Sequence, residues 1–190
     1  MTSLLKRIEE MAEPLRAPTF VEAAKFILSL KTPYIVETGC YRGNNADGQS
    51  TAILALLAKE TKGRFDSFDL HQHNIVIAQA HLNSLELNSP GVDVGFYMGD
   101  SAINLESIKF LVSFAYLDSY DFEEHKALDA QRHNLKEVEI LLPKMADTSA
   151  ILIDDCDLPL GGKGGLSVPT ILAAGYKETA TGYQRLFIRK

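Results

Sequence analysis

The chain lacks any basic cluster. Its 19 Lys and Arg stand against 25 Asp and Glu, for a net charge of −6, and no basic run is longer than the closing Arg189-Lys190 pair. Nucleic-acid backbones are bound by a clustered basic face, so DNA and RNA are disfavoured as partners. Cysteine is scarce. Cys40 and Cys156 are too few for a disulfide framework and are expected to be reduced thiols in a cytoplasmic protein. No apolar run approaches the roughly 20 residues that a membrane span needs. The opening MTSLLKRIEEMAEPLR carries charges throughout, which is not the pattern of a signal peptide. Also missing are the three-glycine G-x-G-x-x-G fingerprint and a P-loop ending in Lys-Ser/Thr, the two sequence devices that seat phosphates on a helix N-terminus. A nicotinamide-dependent oxidoreductase is disfavoured accordingly.

What is present is ordinary globular composition, 46% apolar and 23% charged over 190 residues, enough for one domain with a substantial core. Residues 1–30 are expected to form two short helices punctuated by Pro14 and Pro18, with Thr19 and Glu22 as a capping box for the second. From Tyr34 to the end, residues 34–190, strand-like and helix-like segments alternate: YIVETG, STAILALLAKE, RFDSFDL, NIVIAQAHLNSLEL, VGFYMG, SAINLESI, FLVSFAYLD, ALDAQRHNLKEVEILLPKM, SAILIDD and VPTILAAG. Alternation of this kind implies right-handed crossovers and a mainly parallel sheet with helices on both faces. The closing YKETAT and YQRLFIRK, separated by Gly182, suit a hairpin that supplies an antiparallel edge strand.

Four of the strand-like runs finish on acids: Glu37, Asp69, Asp118, and the pair Asp154 and Asp155. A charge at the end of a buried strand escapes desolvation only if that end opens on solvent or a ligand. In parallel sheets ligands bind beyond the carboxyl ends of the strands. Carboxylates converging there suit a ligand rich in hydroxyls and positive charge, not one built around phosphates. In the first loop, Gly39 permits a tight turn out of the strand and Gly43 a close backbone approach. Asp69, 26 residues past Gly43, is positioned to accept both hydroxyls of a ribose. Taken singly, the glycines are equally compatible with a plain turn and Asp69 with a helix N-cap.

In this order, Glu37-Thr38-Gly39-Cys40-Tyr41-Arg42-Gly43, Asp69, Gly99-Asp100-Ser101, Leu117-Asp118 and Ile153-Asp154-Asp155 resemble the motifs of class I S-adenosylmethionine-dependent methyltransferases. The resemblance runs from Tyr34 to the C-terminus. It implies a doubly wound, Rossmann-like α/β fold with a seven-stranded, mostly parallel sheet closed by an antiparallel hairpin. It also implies S-adenosylmethionine as cofactor, with Glu37, Gly39 and Gly43 at its methionine part, Asp69 at the ribose, and Asp100 and Ser101 near the adenine. Tyr41, Leu70, Gly99 and Asp118 complete the implied cofactor positions. The polar stretch Asn44–Ser50 is longer than the usual link to the following helix.

LDSYD and ILIDD further resemble the metal-binding segments of the catechol and macrocin O-methyltransferase-like branches. On that match Asp118, Asp154 and Asp155 are metal-ligand positions, for Mg²⁺ or another hard divalent cation; otherwise these acids face the cofactor or cap helices. The catechol branch carries a catalytic lysine three residues after the first ligand, where this chain has Asp121, so that mechanism does not transfer. For proton transfer His125, in the loop after the fourth strand, and Asp121 are the candidates. His133 reads as a helix-surface or packed residue, and His71, His73 and His81 receive no catalytic role. Cys40 reads as a small buried residue, and the Gly161–Gly165 segment GGKGG as a flexible rim loop whose Lys163 could meet an anionic substrate.

The expected activity is methyl transfer to an oxygen of a small molecule, with or without a divalent metal. Transfer to nitrogen or carbon, or a non-catalytic nucleoside-binding module of the same fold, are the alternatives. The N-terminal helices either cover the substrate side or pair two subunits as a homodimer; the sequence leaves that open.

Overall fold

A computed structural model describes residues 2–43 and 49–190. Most of the polar stretch after Gly43 therefore lies outside the described residues. Two helices, α1 (Thr2–Met11) and α2 (Ala17–Leu28), precede the alternating core of β1 (Tyr34–Thr38), α3 (Ser50–Thr61), β2 (Arg64–Asp69), α4 (Gln72–Ser84), β3 (Asp93–Met98), α5 (Ser101–Ser107) and β4 (Val112–Leu117). The chain continues through α6 (Ala127–Leu141), β5 (Met145–Ile153), α7 (Ser167–Ala173), β6 (Lys177–Thr181) and β7 (Arg185–Arg189). The seven strands form one sheet in the order β3-β2-β1-β4-β5-β7-β6, parallel except for β7.

Sheet alternation sorts the core into two layers. Ile35, Phe65, Phe114, Leu152 and Leu186 face α1, α2 and α3, where Ile8, Phe20, Ile27 and Leu54 complete the packing. One residue along each strand, Val36, Ala115, Ile153 and Phe187 face α5, α6 and α7 through Leu105, Val138, Leu141 and Ile171. Each fully buried Phe, Leu or Ile contributes about 1.5–3 kcal/mol relative to exposure, and both faces of the sheet are covered, as a parallel sheet requires.

Three local expectations are revised. The antiparallel strand is not at the edge: β7 pairs with β5 and β6 on its two sides, and β6 is the outer strand. The reason is burial, since Leu186 and Phe187 belong to the core whereas KETAT is largely exposed and tolerates an edge. The Thr19–Glu22 capping box does not form. Pro18 occupies the first turn of α2, where its missing N–H costs nothing, so the helix starts earlier. Thr19 Oγ1 instead donates to the Arg16 carbonyl and lies 2.5 Å from Gln184 Oε1. Finally, Pro143 ends α6 in a short 3₁₀ turn, and β5 begins at Met145.

The N-terminal helices lie against the core. Phe20 packs on Tyr116 of β4 with ring centroids 5.5 Å apart. The corner between α1 and α2 delivers Arg16 to the carboxyl end of β5, where it pairs with Asp154.

Candidate functional site

The carboxyl ends of β1, β2, β3 and β4 open on a cavity of ≈ 410 Å³. Six of the ten implied cofactor positions line it: Gly39, Asp69, Leu70, Asp100, Ser101 and Asp118. The other four, Glu37, Tyr41, Gly43 and Gly99, are not part of its wall.

The turn out of β1 explains the glycine. Gly39 has φ +83°, and a Cβ there would lie 2.6 Å from the Asp118 carbonyl oxygen. The β1 loop and the end of β4 thus touch backbone to backbone, which brings Asp118 into the cavity wall. Asp69, the last residue of β2, is buried and aimed by its neighbours. Its Oδ1 accepts from the His71 N–H (2.8 Å) and Asn74 Nδ2 (3.0 Å), and its Oδ2 from the Cys40 N–H (3.2 Å). Asp100 caps α5, accepting from the Ala102 and Ile103 N–H groups.

Glu37 departs from the expectation of a strand-end acid facing a ligand. It sits one residue inside β1, fully buried. Ser67 of β2, directly across the ladder, donates to its Oε2 at 2.7 Å, and Thr51 at the start of α3 donates at 2.8 Å. Burial outweighs these bonds and pushes its pKa up to about 7. Thr51 Oγ1 also accepts from the Tyr41 N–H at 2.9 Å, so Glu37 holds the first loop in place from behind. Tyr41 stacks on His81, centroids 4.3 Å apart, beyond the cavity wall. Gly43 packs toward Ile77, and the Gly99 N–H is spent on the Asp69 carbonyl.

Of the proton-transfer candidates, Asp121 lines the cavity and pairs with Arg42 at 2.8 Å across its mouth. His125 does not line it; 71% exposed, it lies 3.4 Å from Glu123. It follows the end of β4 by eight residues and lies on the largely exposed segment beyond it. Two histidines line the wall: His71, which follows β2, and, from α6, His133. Its Nε2 lies 3.0 Å from Ser101 Oγ and 3.5 Å from Glu137 Oε1. The hydrogen bond to Glu137 raises its pKa against the opposing effect of burial. Glu137 is itself buried, accepts from Ser119 Oγ at 2.6 Å, and leaves Oε2 without a partner. The signal was in the sequence: His133 and Glu137 stand four apart, hence on one helix face.

Cys40 lines the cavity, but burial and the neighbouring Asp69 keep its thiol protonated, which removes it as a nucleophile.

Asp118, Asp154 and Asp155 do converge, each offering an oxygen within 4.8 Å of the others. Only Asp118 reaches the cavity wall. Arg16 binds both oxygens of Asp154 at 2.7–3.2 Å, and Tyr183 donates to Asp155 at 2.5 Å. Lys163, expected on a flexible rim, is buried and bonds Asp118 and Asp155 at 2.6 and 2.9 Å. Three carboxylates already bonded to an ammonium and a guanidinium, which fill the space between them, do not fit a resident divalent cation. Among the described residues, no helix is long and apolar enough to cross a membrane.

No family model matches the chain, and no curated protein matches it. Solved structures do. Magnesium protoporphyrin IX methyltransferase from Synechocystis PCC 6803, determined with bound S-adenosylmethionine, superposes with TM-score 0.60 at 13% identity, covering 91% of this chain and 79% of that one. The N-methyltransferase NodS from Bradyrhizobium japonicum WM9 gives 0.59 at 15% identity, with 93% and 97% covered. An rRNA methylase from Streptococcus thermophilus gives 0.57 at 9% identity, with 88% and 94% covered. Their acceptors differ, and none of the three is named for a catechol or macrocin. What this chain shares with all of them is the Rossmann-like methyltransferase fold.

Proposed function

We propose that the protein is an S-adenosylmethionine-dependent methyltransferase acting on an oxygen of a small molecule. The observation that carries this reading is the cavity wall. Asp69, Asp100 and Asp118 line one hollow beyond the four adjacent parallel strands β3-β2-β1-β4. A donor set of carboxylates suits a cofactor with a sulfonium, an ammonium and ribose hydroxyls but no phosphate. Asp69 would hold the ribose, Asp100 and Ser101 the adenine side, and Gly39 with Asp118 the methionine part. When bound, that cofactor supplies an electrophilic methyl carbon.

The chain's own residues then align the acceptor and keep water out. Asp121, in the wall and 71% exposed, takes the proton from the acceptor hydroxyl at a carboxylate oxygen while Arg42 holds it in orientation. His125 and a metal have no part in this scheme. The small-molecule acceptor is favoured by the net charge of −6 and by the acidic wall, which repel a nucleic-acid backbone.

Titration calorimetry with S-adenosylhomocysteine tests the reading: one site per chain is expected, and no heat of binding overturns it. Turnover against a panel of phenols, sugars, amines and RNA fragments then assigns the acceptor. Binding without turnover on any of these would favour a nucleoside-binding module.

A further inference from the structure

Beyond the cavity, three carboxylates meet at the ends of β4 and β5, within 4.8 Å of one another. Like charges so close require a cation or a proton between them. This chain supplies the cation from its own side chains. Lys163 Nζ lies 2.6 Å from Asp118 Oδ1, 2.9 Å from Asp155 Oδ2 and 3.3 Å from the Asp118 carbonyl. An ammonium has three donors, and here each has an acceptor.

Its side chain is 1% exposed, a placement that costs several kcal/mol unless the charge is fully paired. Burial acts against the ammonium, but Asp118, Asp155 and Asp154 outweigh it and hold its pKa above the usual lysine value.

The backbone around Lys163 is shaped to deliver it. Gly162 has φ +56°, and a Cβ there would collide with the Asp155 carbonyl. The Lys163 N–H is bonded to that same carbonyl at 3.0 Å. Gln131 of α6 ties the loop down through the Leu160 and Gly162 carbonyls at 2.9 and 3.0 Å. On the other side, Arg16 occupies both oxygens of Asp154 and stacks over the Tyr183 ring at 4.5 Å.

We infer that Lys163 stands in for a divalent cation at this carboxylate cluster. It is a positioning residue that holds Asp118 in the cavity wall and excludes a metal. Mg²⁺ needs oxygens at about 2.0–2.1 Å in an octahedron. The space between Asp118 and Asp155 is filled by the ammonium, and Asp154 is committed to Arg16. The inference does not depend on which cofactor the cavity takes.

Electron paramagnetic resonance of Mn²⁺ titrated into the full-length, chelator-treated protein tests it. The wild type is expected to leave the free-Mn²⁺ signal unchanged. Lys163→Met, which removes the charge and keeps the bulk, is expected to bind one Mn²⁺ per chain at least tenfold more tightly than wild type. Lys163→Arg is expected to exclude it again. A purely structural lysine would not produce this gain and its reversal. Uptake of one Mn²⁺ per chain by the wild type, lost in Asp118→Asn, overturns the inference even if Lys163→Met fails to fold. So does a Lys163→Met protein with a native circular dichroism spectrum that takes up no Mn²⁺.

Discussion

At the residue scale, Glu37 carries the clearest pH signature. Its folded pKa of about 7 lies above the ordinary value of 4.5 because burial disfavours the carboxylate. Between those values the folded state binds more protons than the unfolded one, so stability falls as pH rises. The contribution is complete below the unfolded value and is lost as pH climbs through about 7. The shift corresponds to about 3 kcal/mol. Glu37→Gln cannot ionise, so its urea midpoints should lose less stability than wild type between about pH 5 and about pH 8. Equal losses in the two proteins would refute the buried-acid account. Asp121 yields a different expectation. If it accepts the acceptor's proton, Asp121→Asn should lower kcat by about 100-fold or more while calorimetry shows unchanged S-adenosylhomocysteine affinity. A parallel loss of affinity would instead place Asp121, with Arg42, in the binding wall.

At the scale of elements, the site is a product of contacts between strand ends. Gly39 lets the β1 loop press on the backbone after β4, with φ +83° and no room for a Cβ beside the Asp118 carbonyl. Gly39→Ala should therefore cost more than about 2 kcal/mol, combining strain at a positive φ with a backbone clash; chemical denaturation measures it. A second consequence concerns α6, whose His133 and Glu137 carry a polar chain through Ser101 and Ser119 to the cavity floor. Elements were the most legible part of the sequence. The alternation of short strand-like runs with longer helix-like runs marks the strands and helices of the core, and Asp69, Asp100 and Asp118 at the ends of their runs mark the cavity wall. Glu37 misled because its position near a strand end says nothing of its surroundings: Ser67 and Thr51, 30 and 14 residues away, enclose it.

For the whole molecule, both faces of the sheet are sealed by helices and the carboxylates at the ends of β4 and β5 are tied to Arg16 and Lys163, which leaves the ends of β1 to β4 as the open face. A ligand that binds there and not to the unfolded chain stabilises by mass action. At a hundredfold excess over Kd, S-adenosylhomocysteine should add about 2.7 kcal/mol and raise Tm by roughly 5–10 °C. Exhaustive chelation should leave both that shift and turnover unchanged. A Tm that falls on chelation would contradict the lysine-centred cluster.

The sequence by itself determined the architecture and the direction of the site. Alternating strand-like and helix-like runs fold as a doubly wound sheet covered on both faces, and acids that follow apolar runs, Asp69, Asp100 and Asp118, come out where the strands end. Only the tertiary structure decided which charges meet. Arg16 reaches Asp154 across 138 residues and Lys163 reaches Asp118 across 45. The same carboxylate triplet is a metal site or an ion-pair network according to whether such a cation arrives. Electrostatic pairing depends on distance in space, and no spacing along the chain records it.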